Sequence, residues 1–350
     1  MKRFLICAFS IIMALLTALL GGCSCSGCVE KFPLAFTNDF LGGGTNDADS
    51  GYSETITYNV KNENHFNNDL EKASDLTEDV IKYEYIGTCV ITFSQKGSLP
   101  SGVESNLDLV DKTTFYHLKT RLDLVSTYTV NGTYAEGYEN ATTENGNVNY
   151  VEYVESEVYF LQKGQSYAPV YARTEQKNTF VSLTNGKANI KVSQTSTETT
   201  YNKSRYKLTK TIDGKTSKES HSYSYKIAID NTQLLFIVRN IELNKGSSFS
   251  LPTVAPSYSS PQTLIVKNEN EDTKSYKING EDKSMPVKNL SITRNDTFNK
   301  GQAHYVVLQK SQVAGLPFKS YMLQYAAPLT TYNSFSSMGA LVYTIASINN

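Results

Sequence analysis

Beyond residue 50, apolar and polar residues alternate in short runs that are separated by turn dipeptides. Alternation with a period of two predicts strands that bury one face, and tight turns between such runs predict antiparallel hairpins. Asn-Gly and Asp-Gly are the most informative of these turns, because both residues tolerate the positive φ that a two-residue hairpin loop requires. Such a turn fixes the register, so the sequence also predicts which residues share a face.

The first informative turn is formed by Asn185 and Gly186. Pairing Thr184 with Lys187 brings a set of apolar residues from both strands onto one face: Val181, Leu183, Ala188, Ile190 and Val192. This hairpin predicts an antiparallel sheet with one apolar side and one solvated side.

The second informative turn is formed by Asp213 and Gly214. Pairing Ile212 with Lys215 collects on one face the residues Tyr206, Leu208, Tyr223, Tyr225, Ile227 and Ile229. The opposite face receives Lys203, Arg205, Lys207, Ser222, Ser224 and Lys226. From both hairpins we predict interior positions for the side chains of Val181, Leu183, Ile190, Tyr206, Leu208, Tyr225 and Ile227.

Other segments give weaker signals. The dipeptides at 131–132 and 279–280 are also Asn-Gly, but the alternation beside them is poorer. A spacing of three to four favours one amphipathic helix, with its apolar residues at Leu70, Ala73, Leu76 and Val80. Residues 252–261 begin and end with proline and predict a break or a long loop. No linker inside residues 51–350 is long enough to require two domains, so we expect one β domain there.

Composition supports the β prediction. The 350 residues include 24 Tyr and 15 Phe but no Trp, and Tyr, Thr and Val favour strands. We therefore expect a mainly β fold, a curved antiparallel sheet in the form of a half-barrel or a sandwich, with at most one or two short helices. The formal net charge of −1 gives no reason to expect nucleic acid as a partner.

The N-terminus has the layout of a secretory signal, with Lys2 and Arg3 ahead of a mostly apolar run that ends at Leu20. The sequence Leu20-Gly21-Gly22-Cys23 that follows resembles the bacterial lipobox. The resemblance implies that residues 1–22 are a signal peptide, cut off before Cys23, and that the Cys23 thiol carries lipid such as palmitate. Two acyl chains suffice for stable anchoring, so we expect a lipoprotein on the extracytoplasmic face of the cell membrane.

Residues 23–50 are predicted to be a flexible tether, because the sequence from 42 to 50 is rich in Gly, Asn, Asp and Ser. Three further cysteines, Cys25, Cys28 and Cys89, are too few for a complete disulfide framework. The close cysteines Cys23, Cys25 and Cys28 also fall short of the four ligands of a structural zinc site. We expect no metal, leave open a labile disulfide between Cys25 and Cys28, and expect Cys89 to be a buried strand residue.

Chemistry-bearing residues are scattered. The histidines, at 65, 117, 221 and 304, show no metal-binding spacing, and the common nucleophile and phosphate motifs are missing. Carboxylates cluster in two places along the chain, at Glu152, Glu155 and Glu157, and again at Glu269, Glu271 and Asp272. A glycosidase needs two carboxylates that face each other across the sugar, and nothing in the sequence indicates that these do. We predict no enzyme, no cofactor and no catalytic residue.

The segment from Asp230 to Asn240, DNTQLLFIVRN, precedes Glu242, Leu243 and Gly246. It resembles a pattern in uncharacterised exported bacterial proteins of the LolA-like type: an acidic start, an apolar run that ends in Arg, and a Gly-led turn. Ser291-Ile292-Thr293-Arg294 with Asp296 and Gly301, and the residues from 339 to 345, are similar to the same pattern. The resemblance covers about the last third of the chain. It implies a half-open barrel closed by helices that shelters acyl chains or other lipid-like ligands.

Three functions remain as hypotheses. The first is a non-catalytic binding module whose apolar, Tyr-rich face surrounds a hydrophobic or amphiphilic ligand. The second is an interaction or structural lipoprotein of the cell envelope that uses an exposed Tyr, Ser and Asn surface against protein or glycan. The third and weakest is an envelope glycan hydrolase. No ligand-binding residue can be assigned from the sequence, and Cys23 is the one site residue that it predicts.

Overall fold

The computed structural model describes residues 29–31, 53–63, 81–96, 98–103, 115–130, 147–163, 166–184, 187–223, 228–240, 243–256, 261–294, 303–311, 313–314, 316, 320–328 and 340–349. Their strands form one large curved sheet that is not closed into a barrel. The predicted fold class, a mainly β curved sheet with few and short helices, is confirmed.

Two antiparallel meanders make up this sheet. The first contains β2 (Ser53–Glu63), β3 (Ile81–Lys96), β4 (Phe115–Val130), β5 (Asn147–Lys163), β6 (Ser166–Thr184), β7 (Lys187–Tyr201), β8 (Arg205–Ile212) and β9 (Lys215–Ser222). The second contains β11 (Ser248–Val254), β12 (Gln262–Ile278), β13 (Glu281–Arg294), β14 (His304–Gln309), β15 (Met322–Pro328) and β16 (Ala340–Asn349). They join where β16 pairs with β2. Two short strands, β1 (Val29–Lys31) and β10 (Ile229–Asp230), pair in parallel with β11.

Both predicted hairpin registers are confirmed. Thr184 lies opposite Lys187 in the first hairpin, and Ile212 lies opposite Lys215 in the second. In β8 the alternation follows the prediction, since Tyr206 and Leu208 are buried while Lys207 is exposed. Tyr225 and Ile227 lie outside the described residues, as do the side chains of Val181, Leu183 and Ile190. Strand register nevertheless places residues 181, 183 and 190 on the same face as Val192, which is 44% exposed, and opposite to the face of Tyr206 and Leu208. The prediction that both apolar sets share one interior face is therefore wrong.

The turn at Asn279 and Gly280 is stronger than the sequence suggested. It connects β12 to β13 with Ile278 opposite Glu281, and both turn residues have positive φ, 54° and 83°, as a type I′ turn requires. The Asn279 side chain also bonds to β16, donating to the Ile348 carbonyl at 3.1 Å and accepting from the Ile348 amide at 2.9 Å. The predicted turn at 131–132 and the predicted helix at 70–80 lie outside the described residues.

The proline-rich stretch does not begin as a loop. Pro252 lies inside β11 and is paired with Thr263 of β12, so the expected break starts only after Val254. On the other side of β11, β1 pairs with residues up to Ser250, and β10 pairs with residues from Thr253 onward. Pro252 therefore falls in the gap between two ladders, where a residue without an amide proton is tolerated.

A short helical segment packs against the inner face of the sheet, which is the face that carries the core. It consists of α1 (Leu234–Ile237) between two 3₁₀ turns (Asn231–Gln233 and Val238–Asn240). Asp230 and Gln233 form a capping box at its start, which satisfies amide groups that the first turn leaves without partners. Phe236 points into the core, where its ring lies 4.5 Å from the ring of Phe93 on β3. The inner face around this segment is thus covered by packed side chains, whereas β9 is exposed over nearly its whole length.

Candidate binding face

The outer face is the side of β4 to β9 opposite to the inner face that carries the core. It carries many exposed polar side chains of the first meander. Strand register places the odd-numbered residues of β4, β5 and β6 on this face, together with the even-numbered residues of β7. At one end, Phe115, Tyr159, Leu161 and Tyr171 form a small separate apolar cluster, with Leu99 and Val103 packed against it. The rest of the outer face is open and mostly polar.

The middle of the outer face is a ladder of ion pairs across β4, β5 and β6. Glu155 accepts from Lys119 Nζ at 2.7 Å and from Arg121 Nη1 at 2.9 Å, and these cations lower the pKa of its carboxyl group. His117 Nε2 lies 3.1 Å from Glu157 Oε2, and this contact lowers the pKa of Glu157. These charges balance one another, so the ladder presents little net charge to a ligand.

Tyr153 marks the border between the ladder and the next strands. The Arg121 guanidinium lies over its ring, 4.5 Å from the centroid. Its hydroxyl accepts a long hydrogen bond of 3.5 Å from Gln194 Nε2 on β7. Tyr153 therefore presents a partly exposed aromatic edge beside an amide, a combination that suits polar recognition.

A shallow pocket of about 440 Å³ lies next to Gln194. It is lined by Lys177, Val192, Gln194, Ser196, Thr211, Asp213 and Gly214. These residues come from β6, β7, β8 and the β8–β9 turn, and they offer an ammonium group, an amide, two hydroxyls, a carboxylate and one apolar side chain. We call this depression the Gln194 pocket. Its donors and acceptors match a hydroxylated ligand.

The wall of the Gln194 pocket is held in place by Asp213. Its Oδ1 accepts from Ser193 Oγ and from the Gln194 amide, both at 3.0 Å, and its Oδ2 lies 3.2 Å from Lys191 Nζ. The backbone hydrogen bond from Gln194 is the largest cause of the lowered pKa of Asp213. The Asp213 amide also donates to the Gln194 carbonyl at 3.0 Å. These bonds tie the β8–β9 turn to β7, so the pocket is preformed.

The two predicted carboxylate clusters are divided by the fold. Glu152 is buried, whereas Glu155 and Glu157 lie on the outer face, where Glu155 pairs with Lys119 and Glu157 contacts His117. In the second cluster, Glu269 accepts from Ser291 Oγ at 2.6 Å, and Glu271 pairs with Lys310. Within the described residues, no group of three or more His, Cys, Asp or Glu side chains is placed to hold a metal ion.

The other predicted residues have separate environments. Cys23, Cys25, Cys28 and His65 lie outside the described residues. Cys89 is a free cysteine buried in β3, as expected, and burial raises the pKa of its thiol to about 12. His304 Nδ1 lies 2.6 Å from the Tyr325 hydroxyl, and desolvation lowers the pKa of His304 to about 4. The histidines that the structure describes all lie in strands.

Two buried polar contacts were not anticipated from the sequence. Arg239, at the end of the helical segment, pairs with Glu54 of β2, and both side chains are almost fully buried. Asp230 accepts a hydrogen bond from the Tyr201 hydroxyl, and burial raises the pKa of both groups. Both contacts join the helical segment to the first meander and have a structural role in the core.

Among the described residues, no helix is both long and apolar enough to cross a membrane. The chain matches no protein-family model, no curated protein and no solved structure.

Proposed function

We propose that the protein is a non-catalytic, lipid-anchored binding protein of the cell envelope, and that its outer face binds a hydroxyl-rich partner such as a glycan. The observation that carries this proposal is the Gln194 pocket, a preformed polar depression on a solvated sheet face. The inner face around the helical segment, by contrast, is covered by packed core residues. Neighbouring Tyr153 adds an aromatic surface with a polar tip, and such side chains are common where proteins recognise polar partners.

Filling the Gln194 pocket should abolish binding. The test is Ser196→Tyr, because Ser196 lines the pocket and faces Thr211 across the β7–β8 pair. Ser284→Tyr is the matched control, since Ser284 is an exposed strand residue of β13. Binding of the detergent-solubilised full chain to a panel of neutral and acidic envelope polysaccharides would be measured. Equal binding by Ser196→Tyr and Ser284→Tyr would contradict the proposal.

A hydrophobic or amphiphilic ligand is the second candidate. Ile86, Val125 and Val151 are directly paired across β3, β4 and β5, and their exposed fractions are 59%, 47% and 63%. This apolar stripe lies on the outer face beside the charged residues Arg121 and Asp123, which suits an amphiphile better than a fully apolar molecule. Saturable binding of a fluorescent fatty acid that is lost in Val125→Asp would favour this candidate.

The lipid anchor is proposed from the signal and lipobox pattern at residues 1–23. We expect Cys23→Ser to remove the lipid and to release the chain from the membrane, because a thioether to lipid cannot form on serine. The measurement is the distribution of full-length wild type and variant between membrane and soluble fractions, together with the intact mass. Cys28→Ser is the control and should stay in the membrane fraction. An unchanged distribution and mass for Cys23→Ser would contradict the anchor.

A further inference from the structure

The β8–β9 hairpin carries an excess of positive charge, and Arg205, Lys207 and Lys218 of this hairpin lie on the outer face. Residues 203–222 include six Lys or Arg and two Asp or Glu, a formal charge of +4, whereas the whole chain has a formal charge of −1. This concentration lies in the β8–β9 hairpin, next to the Gln194 pocket. A local excess of this kind in a nearly neutral chain favours binding of an anionic partner.

Four cations of this region share the outer face. Arg205 and Lys207 lie on β8. Lys218 lies on β9 and pairs with Thr209 of β8, and Lys177 lies on β6 and pairs with Gln194 of β7. Within the part of the chain that the structure describes, none of the four has a carboxylate partner. We call these four side chains the basic patch. Their positive charge is available to a ligand.

The acidic groups of the same face do not cancel the basic patch. Glu175 is paired with Arg173, and Asp213 is paired with Lys191. Glu198 remains and accepts a 3.5 Å hydrogen bond from the Tyr171 hydroxyl. The face therefore keeps a net positive charge. This differs from the ladder on β4 and β5, where each carboxylate has a cationic neighbour.

Hydroxyl groups fill the space between these cations. The strand register places Thr200 beside Lys207, Thr209 beside Lys218, and Thr211 beside Thr216, and the last two hydroxyl oxygens are 3.0 Å apart. Ser220 and Ser222 continue the row on β9. Serine and threonine hydroxyls both donate and accept hydrogen bonds. They match the hydroxyls of a sugar or polyol, while the cations match its anionic groups.

The dimensions indicate a polymer. Lys177 pairs with Gln194 of β7, and Lys207 pairs with Thr200 of β7. Gln194 and Thr200 are six residues apart along that strand. At about 3.3 Å per strand residue, this separation is about 20 Å along the strands, longer than a single sugar unit. From the charge, the hydroxyls and this length we infer that the basic patch and the Gln194 pocket together bind a segment of an acidic glycan or polyol-phosphate polymer. The inference rests on the proposed function and specifies its ligand class.

The test compares two charge-matched double variants of the full chain. Lys177→Gln with Lys207→Gln removes two charges from the basic patch, and Lys245→Gln with Lys277→Gln removes two exposed charges elsewhere. The probes are alginate, poly(glycerol phosphate), neutral dextran and poly-glutamate. We expect saturable binding of alginate or poly(glycerol phosphate), which the first double variant weakens roughly fivefold while the second leaves it unchanged. The affinity of the wild type should also fall as salt is raised.

The outcomes separate the inference from the proposed function. Suppose that dextran binds as tightly as alginate, and that binding is lost in Ser196→Tyr but not in the double variant of Lys177 and Lys207. This result would overturn the acidic ligand and keep glycan binding. Binding of poly-glutamate as tightly as the acidic glycans would overturn glycan selectivity. Equal loss in both double variants would overturn the basic patch as the site. Absence of saturable binding to all four probes would overturn both proposals.

Discussion

Arg239→Ala is expected to destabilise the domain by about 3–5 kcal/mol, the usual cost of removing one partner from a buried ion pair. The Arg239 and Glu54 side chains are only 5% and 1% exposed. Arg239 Nε also donates to the Ser320 carbonyl at 2.8 Å. The substitution would leave a buried carboxylate and a buried carbonyl without these partners, and desolvation of such groups is costly. The measurement is the free energy of unfolding from urea denaturation at pH 7.

Two controls show whether the loss comes from an unpaired buried charge. Replacing both partners, with Glu54→Leu and Arg239→Met, should recover a large part of the lost stability, because neither charge then remains in the core. Lys267→Ala removes the partner of Glu269 in a pair whose side chains are 45% and 38% exposed, and it should cost less than about 1 kcal/mol. If Arg239→Ala were no more harmful than Lys267→Ala, the pair would not stabilise the core.

This ion pair explains how the helical segment is attached to the sheet. The segment begins with the capping box at Asp230 and ends with Arg239, so polar contacts fix it at both ends. Asp230 contacts Tyr201 of β7, and Arg239 contacts Glu54 of β2. The apolar side chains between them fill the inner face. The segment thus closes the core against two strands of the first meander, β2 and β7, that are not neighbours in the sheet.

The sequence identified this segment but could not predict its partners. An acidic start and an apolar run that ends in Arg stand out in the chain, whereas Glu54 is 185 positions away from Arg239. Only the assembled sheet brings the two side chains together. Local patterns contain no information about such a contact, because its geometry depends on the order and curvature of the strands between them.

Hairpin registers, in contrast, could be predicted because they depend on adjacent residues. A two-residue turn fixes the pairing, and the alternation then determines the faces, which is why the predicted pairs around Asp213 and Gly214 match the structure. The turn at Asn279 was underrated because its register sets Ile278 opposite Glu281 and Tyr276 opposite Lys283. Where apolar residues of one strand lie opposite charged residues of the other, the apolar signal that supports a register is weak.

The candidate binding face could be predicted only in part. The sequence placed Arg205 and Lys207 on a wet face of the second hairpin, and the structure agrees. The Gln194 pocket also requires Lys177 of β6, which pairs with β7 over a long ladder. Tyr153, which contacts Gln194, is 41 positions away from it in the sequence. The sequence showed the polar residues of each strand but not the arrangement of the strands side by side.

Leu208→Asp should destabilise the domain by about 3 kcal/mol or more, while Lys207→Asp should change its stability by less than about 0.5 kcal/mol. Leu208 is 3% exposed and belongs to the core, so an aspartate there would be a buried charge without a cation. It would also lie directly opposite Glu219 of β9, and like charges in that position repel. Lys207 is its neighbour in the same strand but faces solvent.

Urea denaturation and hydrogen exchange of the two variants give the comparison. Leu208→Asp should lower the unfolding midpoint and the protection of the amides in β8 and β9, because this hairpin lies at the edge of the sheet and can open locally. Lys207→Asp should leave both measurements unchanged and yet weaken binding of an acidic glycan, since it reverses one charge of the basic patch. Equal destabilisation by the two substitutions would contradict the assignment of inner and outer faces, and with it the position of the proposed binding surface.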